Sequence, residues 1–304
     1  MGAWSAALIR QLVLRGIPVI LCADDYGLRD DIDEAILDLC AAGKLTAVSC
    51  MAALERCEAD TLRRLLRHEA VVDVGLHLCL TDEGLAWSTG AHSQTHGNRA
   101  PSYGGLLKAS LTGRVRPDKC RQEIAAQYGL FVNKCGRSPD HIDGHLHAHQ
   151  LPGVRQGLLE FVLSLPPERR PYIRNTAMPM RSLWKGGLPW AKASLIGAFG
   201  TVMKERLRKA GVGTNHGFAG VYDFRNWRCY PGYLPRFTAC LTKPTGILVV
   251  HPGREEDWRR QEYATLKEFA FTSGSLNRFE ERRSRNGPNH GTEGTATRAM
   301  PLPR

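Results

Sequence analysis

Two carboxylates side by side, Asp24 and Asp25, follow the apolar run 17–22, and further along five ionisable side chains, His141, Asp143, His145, His147 and His149, fall at every second position. In an extended segment alternate residues share a face, and a packed interior cannot bury a wholly polar face without partners. Imidazoles and carboxylates gathered in this way are a donor set for a divalent cation. Two imidazoles and one carboxylate leave positions open for water and substrate; such an ion lowers the pKa of its water and polarises a carbonyl oxygen. Of the adjacent pair, one carboxylate could hold the ion while its neighbour takes a proton, although an acid pair opening a helix or a turn looks the same. His77, alone in an apolar strand, has by itself the pattern of a packed core histidine. His251, before Pro252, reads either as a loop cap or as the group that returns a proton to a leaving amine.

These residues need a scaffold that brings them together. Apolar, β-branched runs at 17–22, 47–52, 71–78, around Ile142, at 172–174 and at 246–250 read as strands. Apolar spacing of three and four residues predicts helices over 30–42, 60–68, 118–134, 154–163, 191–209, 234–241 and 259–271. The stretch 83–113, rich in Gly, Ser, Thr and His, reads as a long loop beside the site. Strands alternating with helices indicate a parallel β/α architecture, in which residues just past the strands' C-terminal ends converge on one mouth. Asp24 and Asp25, His77, the histidine run, Arg174 and His251 all fall at such ends. Periodicity stops at about Arg283, and the remainder to 304 has the composition of a disordered tail.

A chain of 304 residues, 42% hydrophobic and 23% charged, can form one large globular domain, and it has no apolar run of membrane-span length. Residues 1–16 lack the pattern of a signal peptide, and nine scattered cysteines fit free thiols in a reducing cytosol. The net charge of +11 is localised: residues 168–209 carry +8 and residues 278–304 carry +3. A solvated basic face is the plain account, and an anionic partner is the alternative. Within 174–209, Met178, Met180, Trp184, Trp190, Leu195 and Ile196 mingle with the cations, a pattern shared by helices that rest on anionic membranes and by packed helices with a basic outer face.

Four segments together resemble the YdjC-like (ChbG/HpnK) carbohydrate deacetylases: Ala23-Asp24-Asp25-Tyr26-Gly27; Val74-Gly75-Leu76-His77-Leu78; the run from His141 to His149 with Leu151-Pro152 behind it; and Val250-His251-Pro252-Gly253. They occur in order within residues 17–271. The resemblance implies an α/β fold, a TIM-barrel-like and irregular (β/α) barrel forming one domain over residues 1–282. It implies a magnesium or zinc ion and hydrolysis of the acetamide of an N-acetylated sugar. It further implies that Asp25, His77 and His145 bind the metal and that Asp24 is the general base. His251 takes the acid role and Arg174 a place beside the site, leaving His141, Asp143, His147 and His149 to contact substrate or orient ligands. Tyr26, Cys22, Gly144 and Cys79 stand where the family usually has Phe, a polar residue, Ser and Asn; these departures spare the ligands and alter the pocket's neighbours. The expected partner is an N-acetylated glycan. An anionic membrane surface and a second copy of the chain are further candidates, no nucleic acid is expected, and the location is cytoplasmic, peripheral to a membrane if the basic stretch rests on one. The competing chemistry is another metal-dependent amidohydrolase, or a phosphoesterase with Arg174 as the phosphate-binding cation. A non-catalytic nucleic-acid-binding protein is the third reading.

Overall fold

The computed structural model describes residues 19–81, 100–178, 190–270 and 278–279. The N-terminal stretch 1–16, most of the loop expected over 83–113, Met180 and Trp184, and the tail 283–304 lie outside the described residues.

Among the described residues, seven strands form one parallel sheet: β1 (Val19–Tyr26), β2 (Ala47–Cys50), β3 (Asp73–Leu78), β4 (His141–Gly144), β5 (Tyr172–Ile173), β6 (Gly217–Ala219) and β7 (Gly246–Val250). Their order is β5-β4-β3-β2-β1-β7-β6. Helices alternate with them: α1 (Asp30–Ala41), α2 (Ala59–Leu66), α3 (Tyr103–Leu111), α4 (Pro117–Cys135), α5 (Val154–Ser164), α6 (Trp190–Lys209), α7 (Tyr230–Thr238) and α8 (Asp257–Glu268). All eight residues of β1 are buried, as expected of a parallel strand covered on both faces.

The period of two sorts β1 between two cores. Val19, Leu21 and Ala23 pack outward with Ile32, Ile36 and Leu39 of α1. Ile20 and Cys22 point the other way, into a small cluster with Ala47, Tyr172, Phe218, Ile247 and Val249. Tyr172 belongs to β5 and Phe218 to β6, the two ends of the sheet, so the sheet curls until its edges face one interior. The chain just before β6 bridges the gap: Ile173 donates to the Gly213 carbonyl at 2.8 Å and pairs with Thr214. Asn175 and Asn215 continue the seam with side-chain amides in place of a ladder. The Asn175 N–H donates to Asn215 Oδ1 at 2.7 Å, and Asn215 Nδ2 donates to the Asn175 carbonyl at 2.9 Å. The expected irregular barrel is therefore present with seven strands.

Three sequence expectations change. The strand β6 escapes periodicity because it is three residues long and begins at Gly217. Part of the expected loop is helix: α3 is capped by Ser102, whose hydroxyl accepts from the Gly105 N–H at 3.2 Å. Most consequentially, His141 to His149 is not one extended face. The strand ends at Gly144, and residues His145–Gln150 turn back in a 3₁₀ segment with Leu146 and His147 left-handed, at φ 52° and 59°. The reversal packs closely on the strand end: a Cβ at Gly144 would meet His149 Nδ1 at 3.1 Å.

No helix among the described residues is long and apolar enough to cross a membrane. All nine cysteines are free, and only Cys229 is exposed. The basic stretch is partly structural. Arg174 is buried, and Arg170 donates to the carbonyls of Leu163 and Leu165 at the end of α5.

Candidate active site at the C-terminal ends of the strands

Alternation carries the site upward from the inner cluster. Two residues beyond inward-facing Cys22 stands Asp24; two beyond Ala47 stands Ser49; two beyond Tyr172 stands Arg174; two beyond Val249 stands His251. Each side chain follows the last apolar layer of its strand, which places it at the mouth. Asp25 would by the same alternation face outward. Instead the β1–β2 register shifts between Ala23 and Tyr26, and Asp25 adopts φ 72°, a left-handed conformation that costs free energy for a non-glycine residue. The bulge turns its carboxylate into the mouth as well.

There Asp25 Oδ1 lies 3.1 Å from His145 Nδ1 and 3.5 Å from His77 Nε2. Its other oxygen accepts from Arg259 Nη2 at 2.6 Å. Burial works to raise the Asp25 carboxyl, but the His145 hydrogen bond and the Arg259 charge hold it well below the usual carboxylate range. His77 is oriented from behind: Nδ1 faces Asp143 Oδ1 at 2.6 Å. With that nitrogen donating to a carboxylate, Nε2 is the ring nitrogen left facing Asp25.

A chain of hydrogen bonds sets these tautomers. Asp143 Oδ2 accepts from Ser49 Oγ at 2.6 Å, so Ser49 in turn accepts from His141 Nε2 at 2.8 Å. His141 lies flat on Tyr172, with ring centroids 5.1 Å apart, deep in the barrel. Burial depresses its pKa, and it stays neutral. Gly75 makes room for it, since a Cβ there would come within 2.2 Å of the His141 ring.

Asp24 is held differently. The Arg174 guanidinium, with no exposed surface, donates to both of its oxygens at 2.7 Å and lies 3.0 Å from Asp143 Oδ2. His149 Nε2 donates to the Arg174 carbonyl at 2.9 Å and so fixes that residue's backbone; burial brings the His149 pKa down to about 4. On the open side, His251 Nε2 is 3.9 Å from Asp24 Oδ2. Burial brings its pKa down to about 4, against the pull of Asp25 and Asp24, so the imidazole is neutral near neutrality. The His251 N–H donates at 2.6 Å to Glu262, a buried carboxyl that also accepts from Tyr222 and that burial raises to about 7. His147 sits edge-on to Phe218 with ring centroids 5.4 Å apart, and burial and Arg174 hold its pKa well below the ordinary value.

The structure thus brings together Asp24, Asp25, His77, Asp143, His145, Arg174 and His251. It sets His141 beneath them and His149 behind Arg174. Ser49, Arg259 and Glu262 are additional. No local signal marks them: Ser49 sits among small strand residues, and Arg259 and Glu262 belong to a helix rich in charge.

The donor set fits a divalent cation. Ligand atoms of Asp25, His77 and His145 all lie within 4.8 Å of one another. A carboxylate oxygen of Asp25 lies 3.5 Å from His77 Nε2, a pairing of donor types that a cation can share. The three carboxylates Asp24, Asp25 and Asp143 outnumber the two guanidiniums of Arg174 and Arg259, leaving local negative charge for an ion to balance. The Asp143–His77 pair has the form of the carboxylate–imidazole support behind metal ligands.

The fold and the order of the motifs have a family counterpart. This chain belongs to the YdjC-like protein family, whose pattern matches residues 18–279. It is 30% identical to a human carbohydrate deacetylase over 66% of this chain and 59% of that protein, and 28% identical to the mouse protein over 66% and 63%. A chitooligosaccharide deacetylase of Klebsiella pneumoniae is 29% identical over 45% of this chain and 52% of its own. The chain thus spans about three fifths of the length of the mammalian relatives it matches. Among solved structures, a protein of Enterococcus faecalis V583 assigned to cellobiose-phosphate cleavage superposes with a TM-score of 0.63 at 15% identity, covering 88% of this chain and 98% of that one. That likeness concerns the fold.

Proposed function

We propose that the protein is a hydrolase that removes the acetyl group from an N-acetylated sugar, using a divalent metal such as magnesium or zinc. The observation that carries this is the convergence of His77 Nε2 and His145 Nδ1 on one oxygen of Asp25, beside a second buried carboxylate, Asp24. The names of the mammalian and bacterial relatives supply the substrate class. Asp25, His77 and His145 would hold the ion, which when bound lowers the pKa of water and polarises the amide carbonyl.

The remaining work falls to the chain's own groups. Asp24 is the general base that takes a proton from the attacking water. Arg174 keeps both Asp24 oxygens fixed in place. His251 is neutral at rest, so it must receive a proton before it can give one. Asp24 Oδ2, 3.9 Å away, can supply it after taking the proton from water. His251 then protonates the departing nitrogen as the C–N bond breaks, and acetate and the free amine leave. Asp143 and Ser49 hold His77 in the tautomer that offers Nε2.

The phosphoesterase reading loses its cation, because the Arg174 Nη groups are spent on Asp24 and Asp143. Acetate release from a panel of N-acetylated glycans, with metal supplied or chelated, tests the proposal. Metal-dependent release of acetate is expected. Phosphate release from phosphoesters, with no acetate from any glycan, overturns it.

A further inference from the structure

Phe224 opens a 3₁₀ turn after β6 and is 40% exposed, which an aromatic side chain at a polar mouth does at a free-energy cost. It does not stand alone. Its ring centroid lies 4.3 Å from that of Trp258, 4.9 Å from Tyr222 and 5.7 Å from His251. Both supports are tied to the site. Tyr222 donates to Glu262, which accepts the His251 N–H. Trp258 carries the Arg259 guanidinium at 4.3 Å, and Arg259 donates to Asp25. The turn itself is fixed by the Asp223 side chain, which accepts from the Arg225 N–H at 3.1 Å. The aromatic group is therefore a rigid extension of the machinery around His251 and Asp25.

From this arrangement, and resting on the reading of the chain as an enzyme of N-acetylated sugars, we infer that Phe224, backed by Trp258, is a stacking platform for a second sugar ring. The C–H face of a pyranose is apolar and its rim is polar, so it covers an exposed aromatic ring while its hydroxyls stay wet. The sugar whose acetamide is cut must sit over Asp24 and His251. Phe224 lies one ring beyond His251, so the ring it carries is the neighbouring one. The preferred substrate is then at least a disaccharide, reaching from Asp24 past His251 to Phe224.

The test compares N-acetylglucosamine with its disaccharide for wild type, Phe224→Ala and Phe224→Trp, alongside quenching of tryptophan fluorescence by the disaccharide. Phe224 is exposed, so both variants fold, and thermal melts check this. The preference for disaccharide over monosaccharide, as a ratio of kcat/KM, falls about tenfold in Phe224→Ala, nearly all of it in KM, and is kept in Phe224→Trp. Phe224→Ala also weakens the disaccharide-induced quench. If the folded Phe224→Ala variant keeps the wild-type ratio and quench, the platform is overturned while the deacetylase reading stands. If wild type releases no acetate yet shows a quench that needs Phe224, the chemistry is wrong and the platform stands. If there is neither acetate nor quench, both fall.

Discussion

Replacing Arg174 with methionine keeps the length of the apolar stem and removes the charge. In the native chain that charge is shared at 2.7 Å by both oxygens of Asp24 and at 3.0 Å by Asp143 Oδ2, with no solvent contact. Removing one partner of a buried pair costs about 3–5 kcal/mol, because a charge stays behind without compensation. Two carboxylates stay behind here, so the expectation sits at the upper end, about 5 kcal/mol at about pH 7. The penalty belongs to the carboxylate charge, and protonation relieves it. In wild type, burial works to raise the Asp143 carboxyl while Arg174 and His77 hold it below its usual range. That contribution is present above the unfolded carboxylate pKa and lost as pH falls through the folded one. In Arg174→Met the largest opposing charge is gone and burial raises the Asp143 carboxyl, so the folded state gains as pH falls toward about 5. Asp24→Asn removes one of the stranded charges. It should destabilise wild type yet cost little or even stabilise the Arg174→Met background, a coupling of about 2–3 kcal/mol. Denaturant midpoints for the four proteins, at both pH values, measure all of this. A loss under about 1 kcal/mol, or additive single variants with no dependence on pH, would refute the account of Arg174 as the cation shared by two buried carboxylates.

Asp24→Asn should bind metal as wild type does, by elemental analysis, while acetate release falls by at least about a hundredfold; full activity would remove Asp24 from the base role. His145→Ala should lose the metal itself, and a metal content equal to wild type would sink the ligand assignment. Gly75→Ala drives a methyl group against His141, within 2.2 Å in the native packing, and should cost about 1–3 kcal/mol in thermal or chemical melts. Glu262, raised by burial from 4.5 to about 7, binds its proton more tightly in the folded chain. Its contribution is full below its unfolded pKa and is lost as pH rises through about 7, an effect of about 3 kcal/mol that Glu262→Gln should flatten in a pH series of melts.

Some of this was legible without coordinates. The apolar runs ending in Asp24-Asp25, in His77 and in His251 announce strands whose polar ends share a mouth, because parallel strands joined by helices all point the same way. The position of Asp24, His77 and Arg174 at strand ends already assigns them to one mouth. The run from His141 to His149 misled by the same logic. Periodicity assumes a constant backbone, and the 3₁₀ turn with left-handed Leu146 and His147 breaks it. Its members therefore part company, His141 going to the barrel interior, His145 to Asp25 and His149 to the Arg174 carbonyl.

What the residues determined on their own was the list of groups able to do chemistry and the layer they would occupy, since burial preference and strand period are local properties. The tertiary structure decided the pairings. That Arg174 clamps Asp24, that Arg259 clamps Asp25, and that Glu262 holds the chain at His251 depends on contacts between strands and helices up to 234 residues apart. Charge complementarity over such separations is chosen by the closing of the barrel and by one bulge in β1, and no short-range pattern encodes either.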